Sequence, residues 1–73
     1  MNLRYGYLAL VLTFLLGVQD GFIALWHLPE AEPVCVFPYS AASLSPYDRQ
    51  KLENGIRAES CEELMHLLED YLS

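Results

Sequence analysis

The side chains in this 73-residue chain whose types and spacing suggest chemistry are two cysteines, two histidines and a carboxylate cluster near the carboxy terminus. Cys35 and Cys61 together could close a disulfide, and a loop of roughly 25 residues would contribute about 3 kcal/mol in the chain-entropy model. The same thiols also suit small apolar core positions, Cys35 in a strand and Cys61 on the apolar arc of a helix, and the spacing leaves both readings open. There is no C-x-x-C pair. His27 and His66 could be grouped with the cysteines as zinc ligands. However, Cys61 and His66 are five positions apart, so on a helix they diverge rather than converge, and no metal site is expected. His66 reads instead as a surface residue beside Glu62, one turn earlier. Glu62, Glu63, Glu69 and Asp70 share one polar helix face, where water solvates them. A glycosidase-like carboxylate pair needs a cleft that so short a chain has little material to build. No nucleophile elbow, phosphate loop or His-Asp arrangement is present. The expectation is a protein that is not an enzyme, with no catalytic residue, no cofactor and no metal.

These residues have to be positioned by a small body of structure. The formal charge is −6, and all ten acidic residues lie at or after Asp20, where the only basic ones are Arg49, Lys51 and Arg57. Such a surface repels phosphate backbones, so nucleic acid is not an expected partner.

The clearest element is residues 60–73. Ser60 and Glu63 form a capping box in which the Ser60 hydroxyl accepts from the first helical turn and the Glu63 carboxylate returns to the Ser60 amide. On a helical wheel Cys61, Leu64, Met65, Leu67, Leu68, Tyr71 and Leu72 occupy one arc of roughly 160°, opposite the carboxylates. A helix so divided must lie on an apolar surface.

Residues 5–18 contain no charge, follow Arg4 and end just before Asp20. Fourteen helical residues cover roughly 21 Å, and including Leu3 and Gln19 brings the run nearer the ~30 Å hydrocarbon core. Residues 1–19 are therefore expected to be a transmembrane signal anchor. A cleaved leader fits less well, because Gly17-Val18-Gln19 is a poor small-x-small site, and a core helix would be apolar on one stripe only. The positive flank places the amino terminus in the cytoplasm and residues 20–73 outside the cell membrane, single-pass.

Asp20-Gly21 is a turn signal that ends the apolar helix. Residues 22–28 suit a central strand, and residues 29–32 a hairpin connection. A second strand over residues 34–37 is bounded by Pro33 and Pro38, and residues 39–43 have no clear period. Ser45 caps a short helix over residues 46–54 that contacts the body through Leu44, Tyr47 and Leu52, with Gly55 as a left-handed cap. Residues 56–58 could add a third strand. The expected fold is α+β: a transmembrane helix, then a two- to three-stranded sheet packed by the carboxy-terminal amphipathic helix.

Gly21 with Ile23-Ala24-Leu25-Trp26, Glu32-Pro33-Val34, Ser43-Leu44 with Tyr47-Asp48, Leu52, Gly55-Ile56, and Ser60 with Glu62-Glu63-Leu64 and Leu67-Leu68-Glu69-Asp70-Tyr71 form an ordered set. That set resembles short Firmicutes membrane proteins similar to the C-terminal domain of bypass-of-forespore C (BofC), over nearly all of residues 20–73. Pro38 to Ala41 and Ser45 depart from the pattern. The resemblance implies a small α/β unit lying between the forespore membranes in sporulating bacilli, where it restrains a signalling peptidase.

The expected role is a membrane-anchored, non-catalytic regulatory or protein-interaction module linked to sporulation. The rival is a structural or assembly subunit of a larger membrane complex. Trp26 and Phe37 are the expected contacts for a protein partner whose identity the sequence leaves open.

Overall fold

The computed structural model describes residues 13–72, which form an α+β unit of four antiparallel strands and two helices. In chain order these are β1 (Phe14–Gln19), β2 (Phe22–His27), β3 (Cys35–Ser40), a 3-10 turn (Ala41–Ser43), α1 (Pro46–Asn54), β4 (Ile56–Ala58) and α2 (Cys61–Leu72). The sheet order is β3-β2-β1-β4. The sheet thus has four strands rather than two or three, and the additional one is β1.

That strand corrects the expectation of a helix for residues 14–19, the part of the expected anchor that is strand. Phe14–Gln19 pairs along its whole length with β2, from Phe14 opposite His27 to Gln19 opposite Phe22. On its other side it pairs with β4, Leu16 opposite Ile56. Residues 1–12 of the expected anchor lie outside the described residues, and among the described residues no helix is long and apolar enough to cross a membrane. The physical reason for the strand is the Asp20-Gly21 turn. Asp20 and Gly21 both have positive φ, 53° and 87°. Two such residues make the two-residue turn whose twist matches that of the flanking strands. They join two apolar runs of equal length, and the chain folds back on itself.

Side chains alternate across the pleat, so Phe14, Leu16 and Val18 share a face with Ile23 and Leu25. Leu16, Ile23, Leu25 and Leu52 form the buried core. Leu64, Leu67, Leu68, Tyr71 and Leu72 of α2 pack against it, as their helical spacing requires. Cys61 and Met65, expected in the same arc, are exposed. The contact stripe is therefore narrower than the apolar arc, because Cys61 is the first residue of the helix and Met65 lies at the arc's edge.

The capping of both helices follows from the sequence. Ser45 Oγ accepts from the Asp48 amide at 3.2 Å, with Pro46 at the helix start. Ser60 Oγ accepts from the Glu63 amide at 3.1 Å, but the Glu63 carboxylate accepts from the Glu59 amide at 2.8 Å rather than from that of Ser60. Gly55 ends α1 with positive φ, yet its ψ of 131° is extended rather than left-handed helical. Of the three expected α1 contacts, Leu52 is fully buried and Leu44 packs on the core, whereas Tyr47 is 71% exposed. The Tyr47 ring instead lies 5.4 Å from the Lys51 ammonium, one turn away.

Strand β3 continues through Pro38 to Ser40, past the expected end at Phe37. Proline is tolerated because β3 is an edge among the described residues. Between the pairs Ala24 with Val36 and Phe22 with Ser40, β2 uses one residue, Ile23, while β3 uses Phe37, Pro38 and Tyr39. The ladder bulges at the residue that has no amide to donate.

Candidate interaction surface

The two thiols do not meet: Cys35, at the start of β3, and Cys61, at the start of α2, are both free and exposed. Neither occupies the core position that a small hydrophobe would. Their exposure follows from Cys35 lying on an edge strand and Cys61 on the first turn of a helix whose burial comes later along its length.

Trp26 and Phe37, the expected partner contacts, are both half-buried. The Trp26 indole N–H donates to the Ala31 carbonyl at 3.2 Å, and its ring lies against Gly17. Phe37 packs on the core. Both serve the fold first. His27 stacks on Phe14, with ring centroids 4.9 Å apart and 23° between planes. Glu62, Glu63, His66, Glu69 and Asp70 are exposed along α2. Among the described residues no three His, Cys, Asp or Glu side chains are grouped to hold a metal.

A shallow opening of about 390 Å³ is lined by Thr13, Leu28, Pro29 and Arg57. Among the described residues its lining carries one guanidinium and no carboxylate, thiol or imidazole to act with it as an acid-base or nucleophilic pair.

Besides Tyr47 and Met65 on the helices, the exposed large apolar side chains lie on or next to β2 and β3. Val34 is 59% exposed and Val36 47%, and Phe22 and Tyr39 are also exposed. Val36 pairs with Ala24, and Phe22 with Ser40, so Phe22 and Val36 project from one side of the sheet. Val34, one residue before β3, donates its amide to the Leu25 carbonyl at 2.6 Å. The backbone edge of β3 beyond them has no strand paired to it among the described residues. The signal that would have found this surface is in the sequence: residues 33–47 contain no charged side chain, in a chain that is otherwise strongly acidic.

Fold and surface together define a small α+β unit with an open, uncharged sheet edge. No family model matches the chain, and neither curated proteins nor solved structures give a significant match.

Proposed function

We propose that this chain is a non-catalytic protein-interaction module that regulates a partner polypeptide. The observation that carries this reading is a pair of exposed valines, Val34 just before β3 and Val36 within it, beside an edge to which no second strand is paired among the described residues. Isolated exposed apolar residues are ordinary, but a pair of them beside unsatisfied backbone donors and acceptors is a template for another chain. The acidity elsewhere keeps the unit soluble and disfavours nucleic acid.

Membrane attachment and a sporulation-linked restraint of a peptidase are part of the same proposal, the second resting on the BofC resemblance. Phe14–Gln19 is paired in the sheet, so the proposed attachment does not use this stretch as a membrane-crossing helix. The test is crosslinking of the full chain in the cells that produce it, followed by identification of what is bound. A peptidase recovered in stoichiometric yield supports regulation. Stoichiometric recovery of integral membrane subunits supports the assembly-subunit reading instead. A chain recovered alone at every crosslinker concentration overturns both.

A further inference from the structure

We infer that the β3 edge accepts an extended strand from a partner protein, and that this strand carries basic residues on both sides of an alternating apolar centre. The inference rests on the interaction-module reading and names the partner's chemistry. Three observations lead to it. The first is the edge itself: β3 is paired on one side only, to β2, among the described residues. Added strands bind through main-chain hydrogen bonds, with alternate side chains giving specificity. The exposed Val34 and Val36 supply the apolar surface for those side chains.

The second is the charge at the two ends of the strand. Glu30 and Glu32, both exposed, lie in the connection leading into β3. At the other end the Ala41 amide donates to the Gly21 carbonyl at 2.8 Å, and the exposed Asp20 precedes that glycine in the β1–β2 turn. Residues 13–48 contain no lysine or arginine. The apolar centre is thus bounded by carboxylates at both ends, and the complementary ligand is apolar in the middle and cationic at its termini.

The third observation excludes a second copy of this chain as the occupant. Antiparallel pairing of two β3 edges would bring Glu30 and Glu32 of one copy against Asp20 of the other, and parallel pairing would bring like ends together.

The test uses the full chain and two synthetic peptides with the same alternating valine–threonine centre, one flanked by lysine pairs and one by glutamate pairs. The lysine-flanked peptide is expected to bind at least about tenfold more tightly, to weaken as salt is raised, and to increase amide-exchange protection in β3. Val36→Lys is expected to weaken it by about tenfold or more, and the double change Glu30→Lys with Glu32→Lys to reverse the preference between peptides. All these positions are exposed, so the variants should fold, and an unchanged thermal transition verifies that. Equal binding of the two peptides overturns the inference, as does protection confined to α2 or a β3-mediated dimer without peptide. A partner captured in cells through α2 would leave the interaction-module reading standing while removing this one.

Discussion

The Trp26 ring lies over Gly17: its Cζ3 is 3.1 Å from the place a Cβ on Gly17 would occupy. The carbonyl oxygen of Leu52 is 3.5 Å from the same point, so β1, β2 and α1 converge on a residue without a side chain. The indole N–H is tied to the Ala31 carbonyl, so a shift of the ring to admit a methyl group would strain that bond. Gly17→Ala is therefore expected to destabilise by about 1–3 kcal/mol, the usual range for overpacking. In a domain of this size that lowers the melting temperature by roughly 4 °C or more, measurable by calorimetry or circular dichroism. An unchanged or raised melting temperature would show that Trp26 yields.

The hairpin turn offers a second test. At Gly21 nothing lies within 4 Å of an added Cβ, so space is not the constraint; the φ of 87° is. Gly21→Ala should cost about 1–2 kcal/mol from the left-handed backbone alone, while Asp20→Asn should be close to neutral because asparagine tolerates positive φ. The contrast between the two, read from urea midpoints, reports on a turn and would be absent if Asp20-Gly21 merely trailed a helix.

Strand β1 is hard to tell from a membrane segment in the sequence for a physical reason. Leu16 and Gly17 are both buried although they point to opposite sides of β1. A strand covered on both faces has no alternation, and its run of apolar residues resembles a membrane segment when periodicity is the only guide. The Asp-Gly pair between two apolar runs is the deciding signal, because it suits a chain reversal as well as a helix stop. Elements marked by local chemistry were legible: α1 from Ser45 and Pro46, α2 from Ser60 and Glu63, and β4 from its place between them. The candidate surface was less so. Which side of Trp26, Phe37 or Val36 faces solvent depends on neighbours distant in sequence, and on β3 lying at the sheet edge.

The α2 cap should behave as a local contribution. Ser60→Ala removes the acceptor for the Glu63 amide and is expected to cost about 1 kcal/mol. Glu63→Gln keeps an acceptor for the Glu59 amide and should cost less. Chemical denaturation of the two variants in parallel measures the difference.

Along the helices, burial should rank the losses. Leu52→Ala empties a fully buried site in the core and is expected to cost about 2–5 kcal/mol. Met65→Ala, at a residue 59% exposed, should fall within about 0.5 kcal/mol of the unmodified chain. Comparable losses at both positions would mean that α2 lies on the sheet by a different face.

The measurement that bears most directly on the whole account is a solution NMR assignment of the full chain across residues 14–27. The account predicts extended secondary chemical shifts for Phe14–Gln19, slow amide exchange at Leu16, and cross-strand NOEs linking Leu16 with Leu25 and Gly17 with Ala24. Helical shifts running unbroken through Val18, with no NOE across the Asp20-Gly21 turn, would contradict it. They would return residues 1–19 to a single apolar helix.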